Sequence, residues 1–168
     1  MRLAIDFDGT IVKHKFPEIG EPVPYALTFL HAWQGFDIEM ILWTMRSNGK
    51  SRNYLTEAVD FCKSRGIYFN TANEGLGDRE WTTSPKVWAD WYIDDMAFGC
   101  PLIKPKDGSR PYVDWLKVGP AITRLIEEEH ELRASSLPQS LQPAGRSESN
   151  PGLGEEDQGT GNAGPGVN

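Results

Sequence analysis

Residues 1–133 are predicted to form an α/β fold: a doubly wound, Rossmann-like parallel sheet with helices on both faces and no cap domain. Two observations carry this. Short apolar runs that stop at polar or acidic residues alternate with segments of helical periodicity, at about 25 to 30 residues per unit. The first run, Leu3-Ala4-Ile5, lies next to the N-terminus and closes on Asp6, Asp8, Gly9 and Thr10, as a buried central strand would.

After that strand, Val12 to Pro24 holds three prolines, Gly20 and the triplet Lys13-His14-Lys15, and reads as an extended loop over the strand ends. Pro24 opens a helix whose apolar stripe is Ala26, Leu27, Leu30 and Trp33, and Gly35 ends it. Ile38 to Trp43 is a second strand, stopping at Thr44-Met45-Arg46. A helix over 51–64 presents Leu55, Ala58, Val59 and Cys62, Gly66 stops it, and Ile67 to Asn70 is a third strand. A glycine-containing loop follows over 73–83. Ser84-Pro85-Lys86 then has the form of a helix start, with Ser84 as N-cap, for a short helix reaching Asp90. Trp91 to Ile93 is a fourth strand ending in Asp94-Asp95, and Cys100 to Ile103 a fifth. Lys104 to Arg110 is a basic loop. A last helix, with Ile122, Leu125, Ile126 and Leu132 on one side, ends near Arg133.

Composition changes there. From Ala134 to Asn168 there is no aromatic residue, and Gly, Pro, Ser, Gln and Glu dominate. Such a segment buries too little apolar surface to offset its ordering entropy, so 134–168 is expected to be a disordered tail. The tail carries net charge −3 of the chain's −7, leaving −4 on residues 1–133. That mild acidity argues against a dedicated nucleic-acid-binding domain but permits a small phosphorylated ligand. Cys62 and Cys100 have no metal spacing, no apolar run approaches a membrane span, and the start is not a signal peptide. A soluble cytoplasmic protein is expected.

Brändén's rule brings the carboxyl ends of parallel strands into one crevice. There the sequence puts Asp6 and Asp8, Thr44, and Asp94 with Asp95, with Lys86 nearby if its helix forms. Alone, each has a plainer reading: the aspartates as turn formers or caps, the threonine as a cap, the lysine as a solvated charge. Together they converge from distant parts of the chain. Carboxylates that close repel, and need a cation or a shared proton between them.

The segments Leu-Ala-Ile-Asp-Phe-Asp-Gly-Thr, Ile-Leu-Trp-Thr, Lys86 and Tyr-Ile-Asp-Asp resemble, in order, the four motifs of the haloacid dehalogenase superfamily of phosphohydrolases. The resemblance covers residues 3–95. It implies a magnesium-dependent phosphatase acting through an aspartyl-phosphate, with Asp6 as nucleophile and Asp8 as general acid and then base. Magnesium would be held by the Asp6 carboxylate, the backbone carbonyl of Asp8 and the Asp94 carboxylate, with Asp95 beside them. Thr44 would hydrogen-bond the phosphoryl oxygens, and Lys86 would offset negative charge. Lys86 stands only eight residues before Asp94, a shorter interval than in many members of the superfamily. Arg46, two residues past Thr44, is a candidate second phosphate contact.

The loops at 12–23 and 73–83 are each too short for the cap domain that many members of the superfamily carry. A capless member has an open site, suited to a nucleotide, a polynucleotide end or another bulky phosphorylated substrate, or lidded by a homo-oligomer partner. The phosphatase domain of polynucleotide kinase-phosphatase is such a relative. Lys13, His14, Lys15, Arg46, Lys50, Arg52, Lys104, Lys106 and Arg110 on the rim loops read as a positive funnel or as ordinary surface. Trp43 and Trp81 are candidates for stacking on a base or as core, and His14 and His31 give no metal pattern. Three other readings compete: a phosphotransferase of the same family, an inactive phosphate-binding module, and a receiver domain. The last is disfavoured because its motif order differs.

Overall fold

The computed structural model describes residues 1–77 and 80–136. Its centre is a four-stranded parallel sheet of β1 (Arg2–Ile5), β2 (Glu39–Leu42), β3 (Thr71–Ala72) and β4 (Trp91–Ile93), in the order β3-β2-β1-β4. Helix α1 (Ala26–Trp33) links β1 to β2, and α2 (Tyr54–Lys63) links β2 to β3. The chain winds outward from β1 through β2 to β3, then returns to place β4 on the other side of β1. This is the α/β, Rossmann-like fold expected. The direction of winding reverses between β1 and β4, which is where such sheets bind ligands.

The apolar runs form strands because they can be buried on both faces: every residue of β1 is buried. Leu3, Ile5, Phe7, Met40, Leu42 and Ile93 share one core cluster with Leu30 and Trp33 of α1 and with Ala58 and Cys62 of α2. Ile122 and Ile126 of the last helix, α3 (Trp115–Ser136), join the same cluster. Trp33 is tied to α3 by a hydrogen bond from its indole N–H to Thr123 Oγ1 at 2.9 Å. Gly119 lets α3 come this near, because a Cβ there would collide with the Phe29 ring of α1. Burial pushes the Cys62 thiol up to about 12, so it stays neutral inside this core.

Four elements differ from expectation. No helix forms over Ser84–Asp90, so the layer it would have added to the other sheet face is missing and the described helices share one side. Ser84 does make the expected capping contact, accepting a hydrogen bond from the Lys86 amide at 3.2 Å. So short a segment recovers little of the cost of helix nucleation, and the Tyr92 hydroxyl holds the Val87 carbonyl instead. The third strand pairs at Thr71–Ala72, since the Asn70 side chain and amide are spent on the ends of Met40. The fifth strand, Leu102–Ile103 (β5), does not join the sheet but pairs antiparallel with β6 (Tyr112–Val113) across the basic loop. Leu132 is exposed, because α3 outruns the core it packs on. That helix continues through Ser136, three residues into the expected tail; the rest of the tail lies outside the described residues. Among the described residues no helix is long and apolar enough to cross a membrane.

Candidate active site

The register places Ile5 beside Leu42 on one side and Ile93 on the other, and the Asp6 amide donates to the Ile93 carbonyl at 2.9 Å. The residues just past these strands therefore emerge together. Asp6, Asp8, Thr44, Arg46, Asp94 and Asp95 line one open cavity of about 680 Å³, along with His14, Phe16, Met45, Met96 and Arg110. Six of the seven residues singled out in the sequence meet here.

Lys86 does not. It lines a separate cavity of about 740 Å³ with Arg2, Trp81, Trp88 and Tyr92, its ammonium 5.5 Å from the Tyr92 ring centre. With no helix to carry it upward, the segment enters β4 from the amino edge of the sheet, where the Asp90 amide bonds the Arg2 carbonyl. The strand itself then separates Lys86 from Asp94. Trp81 lines this second cavity, while Trp43 follows β2, its amide bonded to the Ile5 carbonyl.

Asp6, Asp94 and Asp95 each offer a carboxylate oxygen, all within 4.8 Å of one another. Burial, reinforced by the charges of Asp94 and Asp95, raises the Asp6 carboxyl to about 7 against bonds from the Phe7 amide and Thr10 that favour its ionised form. This all-oxygen, mutually repelling set fits a hard divalent cation such as magnesium. The Asp8 carboxylate lies outside the trio.

Asp8 has a different partner. Arg46, only 2% exposed, donates through Nε to Asp8 Oδ2 at 2.6 Å and through Nη2 to Oδ1 at 2.8 Å. The same guanidinium reaches the Glu18 carbonyl at 2.9 Å and the Pro17 carbonyl at 3.3 Å, and lies against the rings of Phe7 and Phe16. Arg46 is thus a buried clasp on Asp8 rather than a phosphate contact. Four of its five N–H groups donate to acceptors of the protein. The cavity cation left is Arg110, which no ion pair ties to a carboxylate among the described residues.

Three supports escape a reading of the sequence. Thr10, fully buried, donates from Oγ1 to Asp6 Oδ2 and accepts from the Asp95 amide, both at 3.2 Å, so one hydroxyl joins the ends of β1 and β4. Asn73 accepts from the Thr44 amide at 2.8 Å and donates to the Arg46 carbonyl at 2.9 Å, clamping the loop after β2. Its φ of 54° suits asparagine, which tolerates the left-handed region. His14 Nε2 lies 3.0 Å from Asp95 Oδ2. The only legible signal for these was closeness to Asp6 and Thr44 in the chain or at a strand end.

Gly9, at φ 91°, lets His14 and Asp95 meet: a Cβ there would fall 2.7 Å from Asp95 Cγ and collide with the His14 ring. Gly9→Ala is expected to cost about 1–3 kcal/mol of stability, through the strained φ and the displaced pair. Chemical denaturation against wild type checks this.

No family model matches the chain, and no curated protein matches it. A solved structure of a conserved protein from Bacteroides thetaiotaomicron aligns at 35% identity over 74% of this chain and 90% of its own, with a TM-score of 0.58. The chain belongs to that protein's family. That kinship covers the fold; the chemistry at the strand ends is read from this chain's own side chains.

Proposed function

We propose that the protein is a magnesium-dependent phosphomonoesterase of the haloacid dehalogenase type. The observation that supports this best is the grouping of Asp6, Asp94 and Asp95 within 4.8 Å in a cavity that also holds Asp8 and Thr44. Bound by Asp6, Asp94 and Asp95, magnesium would lower the negative charge met by an incoming phosphate.

The chain's own groups do the rest. An Asp6 carboxylate oxygen attacks phosphorus as the ester P–O bond breaks, and the leaving oxygen takes a proton from Asp8. Water then attacks the aspartyl-phosphate, gives its proton to Asp8, and frees inorganic phosphate and the Asp6 carboxylate. Although Arg46 binds both Asp8 oxygens, each keeps a lone pair outside that clasp, where the proton rides. The Thr44 hydroxyl accepts from the Arg46 amide at 3.3 Å, which leaves its O–H to donate to a phosphoryl oxygen. Arg110 supplies the positive charge expected of Lys86. The free thiols of Cys62 and Cys100 suit a reducing, cytoplasmic compartment.

Purified protein with magnesium is expected to release phosphate from para-nitrophenyl phosphate. Asp94→Asn is expected to raise the magnesium concentration needed for half-maximal rate at least tenfold. A magnesium-independent rate would overturn the proposal. A transferase of the same family would instead pass the phosphoryl group to an added alcohol, which product analysis separates.

A further inference from the structure

We infer that this site selects phosphate esters whose leaving group is apolar or aromatic, seated against Phe16, Met45 and Met96. The inference rests on the phosphomonoesterase reading and adds its substrate class. These three side chains come from the loops after β1, β2 and β4, and are 60%, 98% and 75% exposed. An exposed apolar residue on its own means little. Three from separate loops, all lining the cavity that holds the carboxylates, make a patch of the kind that marks a binding groove.

Their exposure does not come from loose backbone. Met45 lies between Thr44 and Arg46, both fastened to Asn73. The Met96 amide donates to Asp94 Oδ1 at 2.7 Å. The Phe16 ring rests on Tyr54 with centroids 5.1 Å apart and on the Arg46 guanidinium. Site residues thus fix all three at the rim. The aromatic is held by its neighbours, while the two methionines, unbranched and polarisable, can adapt to varied apolar shapes.

The polar groups of the cavity are otherwise engaged. Arg46 is spent on Asp8, and His14 lies against Asp95. The aspartates, Thr44 and Arg110 serve the phosphoryl end in the proposed chemistry. Few donors remain for the hydroxyls of a sugar or polyol, and such groups would be desolvated without partners.

The test compares 2-phenylethyl phosphate, ethyl phosphate and glycerol phosphate as substrates of the full chain with magnesium. The first two are esters of simple primary alcohols, so they differ mainly in apolar size. We expect kcat/KM for the phenylethyl ester to exceed that for ethyl phosphate about tenfold, chiefly through KM, which corresponds to covering roughly 55 Å² of ring. Glycerol phosphate should be no better than ethyl phosphate. The ratio of phenylethyl to ethyl ester should fall to within about twofold in the double variant Met45→Ser/Met96→Ser. It should hold in Phe98→Ser, exposed but outside the cavity. Equal kcat/KM for the two esters, preference for glycerol phosphate, or an unchanged ratio in the double variant overturns the inference while leaving the phosphatase intact. Failure to hydrolyse these esters and para-nitrophenyl phosphate alike overturns both.

Discussion

Arg46→Ala is expected to destabilise the protein by about 3–5 kcal/mol, because it leaves the Asp8 carboxylate without its buried partner. It also strips two backbone carbonyls of their donor, at Pro17 and Glu18. Arg52 also anchors the loop holding them, pairing with Glu18 and Glu57 at the surface. Solvent screens that anchor, so it cannot replace Arg46. Arg46→Lys keeps the charge but loses the two-pronged grip on Asp8, and should recover only part of the stability. The double variant Arg46→Met/Asp8→Asn removes both charges and should be more stable than Arg46→Ala, although inactive. Urea denaturation of the four proteins measures this. A loss below about 1 kcal/mol in Arg46→Ala would mean the pair is no more than a surface contact.

The second large effect concerns Asp6 and pH. Its carboxyl lies near 3.8 when unfolded and is raised to about 7 in the fold, chiefly by burial. Between those values the native state keeps a proton that the unfolded state has released, so stability falls as pH rises through this window. Above about pH 7 the penalty is complete, and below about pH 4 it is absent. Asp6→Asn removes it, and at pH 8 without magnesium that variant should be more stable than wild type by about 2–4 kcal/mol. Magnesium should stabilise wild type at pH 8 and progressively less toward pH 5, as protons compete for Asp6. The Asp6→Asn protein should gain much less from the metal. Thermal melts with and without magnesium at the two pH values check both statements, and a wild type most stable at pH 8 without metal would contradict them.

What could be read from the sequence follows physical range. Asp6, Asp8, Thr44, Asp94 and Asp95 could be grouped in advance because a parallel sheet aligns its strand ends, and apolar runs reveal strands. Ser84-Pro85 carries a local cap signal, but no helix of useful length follows it, and Lys86 lines a separate cavity. Arg46 lines the cavity, with its guanidinium turned to Asp8. Its bond to Asp8 spans 38 residues, and no local pattern encodes a contact that depends on how two loops pack. The same holds for His14 with Asp95, 81 residues apart, and for the Trp115 indole, which donates to the Thr10 carbonyl at 2.7 Å across 105. The two-residue strand β6 carried too little periodicity to be seen. Its Val113 amide nevertheless bonds the Gly9 carbonyl, bracing the loop that carries Asp8.

The proposed chemistry turns on Asp6 as the nucleophile. It is tested most directly by mixing the protein with magnesium and para-nitrophenyl phosphate, quenching in acid within a turnover, and locating the phosphoryl group by peptide mass spectrometry. The account predicts an acid-stable, hydroxylamine-labile phosphoryl group on the peptide containing Asp6, absent from Asp6→Asn, which should fold yet release no phosphate. Turnover by Asp6→Asn at the wild-type rate, or a phosphoryl group on another residue, would contradict it.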